Sequence, residues 1–252
     1  MNDISGVRDL NVGDIYNITD GGTITVLEIV SSTNVLIRHN DRHGHTCRVQ
    51  AIYIATGGIK NPYTPTLYGR GYIGFGQYVC SINGQHTREY RVWNAIFQRC
   101  YNPTVQVKQP QYIGCTVDER WWNFQNFASW YCNSGYVNLN YDIDKDLLIR
   151  GNRVYSPDVC LMLPREINSA IANRFSDNGL PNGVSATNGK YVARASFGGK
   201  ARNFGTYETT LEASMAYNKA RQQHLLNIAE KWRNHIEPRA YKALLVYAQA
   251  AG

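Results

Sequence analysis

The stretch Tyr141-Asp142-Ile143-Asp144-Lys145-Asp146-Leu147-Leu148-Ile149-Arg150-Gly151-Asn152-Arg153-Val154-Tyr155-Ser156-Pro157, closed eleven residues later by Asn168, decides how the rest of the chain is read. It sets carboxylates at the end of a short strand, ahead of a turn and a helix. Oxygen ligands so placed can hold one hard metal ion such as Mg²⁺. The same residues would also make a charged β-turn that binds nothing.

Outward from this stretch, composition limits the possibilities. The chain has 252 residues and 43% hydrophobic content, which suits a folded protein of one large domain or a few small ones. Met1-Asn2-Asp3-Ile4-Ser5 lacks the basic start and apolar core of a signal peptide, and no run of about 18 apolar residues could span a bilayer. A cytoplasmic protein is expected. The six cysteines (Cys47, Cys80, Cys100, Cys115, Cys132, Cys160) form no Cys-x-x-Cys pair, which argues against a zinc ribbon or a redox dithiol. Disulfides are disfavoured by the expected compartment.

The net charge of +7 is unevenly spread: residues 180–252 carry 10 Lys+Arg against 4 Asp+Glu and so hold +6 of it. A basic segment of that size suits a polyanion, most often nucleic acid, because each neutralised phosphate releases counterions. A solvated basic face is the plainer alternative. Within this segment Lys190-Tyr191-Val192-Ala193-Arg194-Ala195-Ser196-Phe197 alternates with period two, Lys190 and Arg194 on one face and Tyr191, Ala193, Ala195 and Phe197 on the other. A second strand brings Lys200 and Arg202 after a Gly198-Gly199 turn. Thr209-Thr210-Leu211-Glu212 then has the form of a capping box, so a helix starts there. Ala213, Ala216, Tyr217, Ala220 and His224 recur at helical spacing, which packs the helix on the sheet and leaves the Lys/Arg face outward.

Towards the N-terminus, residues 14–18, 23–30, 34–39 and 46–49 form short β-branched runs. Asp20-Gly21-Gly22 and His43-Gly44-His45 supply turns between them, the pattern of a small SH3-sized antiparallel barrel. His39, His43 and His45 fall at a hairpin tip without a Cys or carboxylate partner at ligand spacing, so a polar tip is expected over a metal cluster. Gly71, Gly74 and Gly76, near Arg70, lack P-loop or dinucleotide spacing and suit a turning connector. In the middle of the chain Tyr90, Trp93, Ala95, Ile96 and Phe97 share one helix side, and Trp121, Phe124, Phe127, Ala128 and Tyr131 share another. Core packing accounts for them better than base stacking does.

Tyr90-x-x-Trp93 leading to Arg99-Cys100-Tyr101-Asn102-Pro103, then Trp122-x-Phe124-x-x-Phe127-x-x-Trp130, Asp144-Lys145-Asp146 and Tyr155-Ser156-Pro157, resembles bacteriophage and prophage HNH-like (homing-type) endonucleases. Gly183-Val184, Lys190 to Ala195, Phe204-Gly205-Thr206-Tyr207 and Glu212-Ala213-x-x-Ala216-Tyr217-x-x-Ala220 resemble an AP2 DNA-binding domain. The likeness spans about residues 60 to 250. It implies that Asp144 and Asn168 are ligands of Mg²⁺, with Mn²⁺ as a substitute, and that Lys145 steadies the phosphate or leaving oxygen. Asp146 is either an auxiliary ligand or a turn cap. The AP2 likeness implies that Lys190, Arg194, Lys200 and Arg202 reach phosphates or guanine edges in the major groove. His224 is left to helix packing.

The chain departs from the endonuclease pattern twice. Val159 stands where related sequences often carry Asn after Tyr-Ser-Pro-x, and no histidine lies near Asp144 to act as base. His86 is a conceivable remote base or an exposed helix-start residue. Tyr155 would lie near the metal or form a turn. Asn173 is an alternative to Asn168 as the helix ligand.

The expected architecture is α+β and multidomain. It comprises a β-barrel module over residues 1–60, a Gly/Pro/Tyr-rich linker over 61–78, an HNH-like ββα-metal domain over 79–179 and an AP2-like sheet and helix over 180–252. The expected activity is metal-dependent endonucleolytic cleavage of double-stranded DNA, in a host cytoplasm if the chain is phage-encoded. A non-catalytic DNA-binding protein with a degenerate HNH fold is the alternative, and an RNA-associated or protein-interaction module a weaker third. Membrane association is not expected.

Overall fold

A computed structural model describes residues 10–137, 139, 141–172, 179–197 and 199–251, with only the backbone of Lys200. In chain order the first elements are β1 (Ile15–Asn17), β2 (Thr23–Ser31), β3 (Asn34–His39), β4 (Thr46–Val49) and α1 (Ala51–Ala55). A short hairpin, β5 (Ser81–Ile82) and β6 (Gln85–His86), precedes α2 (Arg88–Tyr101) and α3 (Pro103–Lys108). Then come β7 (Thr116–Val117), α4 (Phe124–Cys132), β8 (Tyr141–Asp144), β9 (Val154–Tyr155), β10 (Leu161–Pro164) and α5 (Arg165–Ile171). Last are β11 (Val184–Thr187), β12 (Lys190–Phe197), β13 (Lys200–Tyr207), α6 (Thr210–Trp232) and α7 (Pro238–Gln249). The fold is mixed α+β with several small sheets. Contacts gather the chain into two compact units, Met1–Gln98 with Glu119–Ala128, and Arg99–Asp118 with Ser129–Gly252.

In the first unit β1 to β4 pair antiparallel in sequence order. Gly21 and Gly44 take positive φ in the connections between β1 and β2 and between β3 and β4, where the sequence places its turns. The sheet does not close into the expected barrel among the described residues. Closure needs the two edge strands to pair, and β1 offers three residues and β4 four, which pair only with β2 and β3. Its apolar face, Ile24, Val26, Val35 and Ile37, is covered by Ala51 and Ile54 of α1 and by Ile59. His39 also departs from expectation: it ends β3 as a buried residue, stacked on His45 at 5.8 Å, and is not part of an exposed tip.

The aromatics of this unit are core. Trp93, Ile96 and Phe97 of α2 are buried, as are Trp121, Phe124 and Phe127, and Trp93 Nε1 donates to Trp121 O at 2.7 Å. Gly71 lies against them, where a Cβ would meet the Trp93 ring at 2.9 Å. The glycine-rich connector is therefore held by close packing.

In the second unit, β8 and β10 pair antiparallel, Asp144 opposite Leu161 and Tyr141 opposite Pro164. Leu161, Met162 and Leu163 are all fully buried, so β10 has no solvent face. Pro164 ends the strand, its φ of −51° leading into α5. Two strands and a helix thus follow one another at the acidic stretch. Parallel β7 and β9 flank it. α7 is tied to the same elements by Arg239, which donates to Asp158 O (2.8 Å) and Cys160 O (3.2 Å), and by Tyr247, whose hydroxyl donates to Ile171 O at 2.7 Å.

Strands β11, β12 and β13 form an antiparallel sheet covered by α6. The capping box is present: Glu212 N donates to Thr209 Oγ1 at 3.2 Å, and Thr209 N to Glu212 Oε2 at 3.1 Å. Val184, Ala193 and Ala213 form the core between sheet and helix, with Tyr217 packed against it. Gly183 has φ +75°, and a Cβ there would fall 2.0 Å from the Tyr217 ring. Gly183→Ala is therefore expected to destabilise this part by about 2 kcal/mol or more, combining left-handed strain with displacement of Tyr217. Thermal unfolding monitored by circular dichroism checks it, and an unchanged melting temperature contradicts it. All six cysteines are free thiols.

Candidate active site

Asp144 ends β8 and lines a cleft of about 1200 Å³. Its side chain is buried, and its Oδ1 accepts backbone N–H groups from Asp146 (3.1 Å) and Leu147 (2.7 Å). Those bonds turn the chain sharply and orient the carboxylate. Burial first, and the nearby Asp146 charge second, push its pKa up to about 6, and the two backbone bonds offset part of that rise.

Lys145 is buried beside it. Its Nζ donates to Asp146 Oδ2 and to Asn152 O, both at 3.0 Å, and sits 6.0 Å from the centre of the Tyr155 ring. Two of its three donors are therefore committed to holding the loop. Asn152 completes that clasp: its Nδ2 donates to Lys145 O and Val154 O, each at 2.7 Å. Asn152 stood inside the decisive stretch, but a carboxamide in a turn carries no distinctive signal of this bracing role.

Asp144, Lys145, Asp146 and Asn168 all line the one cleft. Asn168 comes from the middle of α5, so the strand end and the helix both contribute to the lining of the cleft. Asn173 lies outside the described residues. Asp142 also faces the cleft, but its carboxylate is 3.5 Å from Arg165 Nε.

Among the described residues no three His, Cys, Asp or Glu side chains converge as a ready-made metal cluster. What the cleft offers is leaner: Asp144, the Asn168 carboxamide, and Asp146 at the cost of its contact with Lys145. All are hard oxygen donors, and Mg²⁺ is commonly held by one or two carboxylates, its other positions going to water and substrate phosphate. The donor set fits such an ion and suits neither a zinc nor a soft-metal centre.

No histidine lines the cleft among the described residues, and Val159 is not among its lining residues. His86 is exposed in β6, within the other compact unit, its Nδ1 3.3 Å from Cys80 O. Tyr155 is buried in β9 and lines the cleft. Three cations join it: Arg99, Arg150 and Arg165. Sequence reading passed over them as cleft residues, because Arg99 lies more than forty positions before Asp144 on a different element. Its signal was its place at the end of an apolar helix just before an Asn-Pro cap. Asn102 does cap α3, accepting from Thr104 N at 2.9 Å.

Of the four basic residues expected on one outer face of the C-terminal sheet, Lys190 and Arg194 share a face and Arg202 lies on the other. Lys190 and Arg194 are exposed on the face away from Tyr191 and Ala193, and Lys190 is paired with Glu208. Arg202 stands opposite Ala195, and Lys200 opposite Phe197. Directly opposed residues share a face, so Arg202 stands on the side of Ala195. His224 of α6 stacks on Phe197 at 4.3 Å, and its pKa is lowered by burial, with the Arg202 charge contributing. The side chain of Lys200 lies outside the described residues.

No family model matches the chain, and no curated protein or solved structure is significantly similar to it. Among the described residues no helix is long and apolar enough to cross a membrane.

Proposed function

We propose that this chain is a metal-dependent DNA endonuclease of the HNH-like kind found in phages and mobile elements, docking on duplex DNA through an AP2-like C-terminal sheet. The observation that carries the reading is the meeting of Asp144, from the end of β8, with Asn168, from α5, in one cleft lined by arginines. A strand-end carboxylate, a second in the turn that follows, a helical carboxamide and a cationic wall suit metal-assisted hydrolysis of a phosphodiester. Asp144 and Asn168 would hold Mg²⁺ or Mn²⁺, which would supply Lewis acidity and offset phosphate charge. Lys145 and Asn152 keep the acidic loop in shape. Exposed Lys190 and Arg194 supply the duplex contacts. Purified protein incubated with supercoiled plasmid and Mg²⁺ or Mn²⁺ is expected to give relaxed or linear product, and absence of both products in both metals rules the activity out.

A second reading, a non-cutting DNA-binding protein, is favoured by one feature: the cleft has no histidine base among the described residues, and Lys145 is already engaged by Asp146 and Asn152. It requires salt-sensitive duplex binding with no cleavage and no heat of metal binding.

A further inference from the structure

Two of the four cations that line the cleft among the described residues have a carboxylate: Lys145 has Asp146, and Arg165 has Asp142. Arg150 lies over the Tyr247 ring at 6.0 Å. Arg99 differs from all three. It is half-buried, its guanidinium is 5.4 Å from the centre of the Tyr112 ring, and it is in hydrogen-bond contact with the Tyr155 hydroxyl. Among the described residues no carboxylate lies within ion-pair distance of it.

Burying a guanidinium is costly unless something compensates it, and here the compensation is a ring face and a hydroxyl. Stacking engages the flat face and leaves edge N–H groups, the fork that grips phosphate oxygens in pairs. Tyr155 is itself fixed by the pairing of β9 with β7, so the hydroxyl that orients Arg99 belongs to a rigid strand.

We propose that Arg99 is the phosphate-binding residue of the cleft, a catalytic residue whose guanidinium, held by Tyr112 and Tyr155, takes the non-bridging oxygens of a nucleic-acid phosphodiester beside Asp144. This rests on the endonuclease reading for its catalytic part, while the phosphate contact stands separately. Arg99 neutralises charge that grows on those oxygens as the bond to the leaving oxygen breaks, and its role demands planar geometry as well as charge.

Two measurements test it. The first is calorimetric titration of the full chain with thymidine 3′,5′-bisphosphate in metal-free buffer. Arg99→Ala is expected to weaken binding at least about tenfold, Arg99→Lys by a few fold, and Arg91→Ala, an exposed arginine outside the cleft, not at all. The second is plasmid cleavage, where Arg99→Ala should lower kcat by about 100-fold, Arg99→Lys should recover part of it, and duplex affinity should stay within about threefold of the parent. Tyr155→Phe, which keeps the ring and releases the hydroxyl, should fall between parent and Arg99→Ala in both. Bisphosphate binding that is absent in the parent, or within about twofold of it in a folded Arg99→Ala protein, overturns the proposal. If the parent never cleaves DNA yet binds the bisphosphate in an Arg99-dependent way, the endonuclease reading falls and the phosphate site stands.

Discussion

Replacing Asp144 with asparagine is expected to abolish cleavage, by about 1000-fold or more, and at the same time to make the protein more stable at pH 7.5. The two effects have one cause. Burial and the Asp146 charge raise the folded-state pKa of Asp144 to about 6, above its ordinary value of 3.8. As pH rises through that window, the unfolded chain ionises first and folding loses free energy. Above about pH 6 the penalty is complete, on the order of 3 kcal/mol; below pH 4 it vanishes. A carboxamide keeps the Oδ1 that accepts from Asp146 N and Leu147 N and carries no charge to bury. The melting temperature of the variant should therefore rise by about 6–12 °C at pH 7.5 and be nearly unchanged at pH 4. Excess Mg²⁺ should stabilise the parent, by about 2.7 kcal/mol at a hundred times Kd, and leave the variant where it was. A variant that is destabilised at neutral pH, or that keeps its response to Mg²⁺, would remove Asp144 from the metal site.

The second large effect concerns DNA affinity. Arg194→Ala is expected to weaken duplex binding by about tenfold at moderate salt and to reduce the slope of log K against log salt by about one. Arg202→Ala should change it by less than about twofold, because Arg202 stands on the face of the sheet shared with Ala195. Fluorescence anisotropy on one duplex across a salt series separates them. Equal losses from the two variants would mean that DNA does not approach the Arg194 face.

What could be read from sequence was local. The capping box at Thr209 and Glu212, the strand ending in Asp144 and the helix carrying Asn168 depend on residues within a few turns of each other, and each is found. The aromatic helices were legible for the same reason, since apolar residues three and four apart have one face to bury. Non-local features escaped. Whether β1 to β4 close into a barrel depends on pairing between strands about thirty residues apart, for which composition holds no mark. The face of Arg202 depends on the register of β13 against β12, of which alternation on one strand says nothing. Arg99 reaches the acidic cleft from a helix whose own pattern speaks only of packing.

One continuous helix serves both halves of the proposed activity. α6 begins under the basic sheet, and near its other end Lys231 Nζ (2.5 Å) and Trp232 Nε1 (2.8 Å) donate to Glu166 of α5, the helix that carries Asn168. A rod without an internal joint fixes phase as well as distance. Each residue inserted between His224 and Lys231 would advance the far end by about 1.5 Å and swing it by about 100°. The offset between where this protein would grip a duplex and where it would cut is thus set by the pitch of α6, and a single-residue insertion there should misalign the two while leaving both intact.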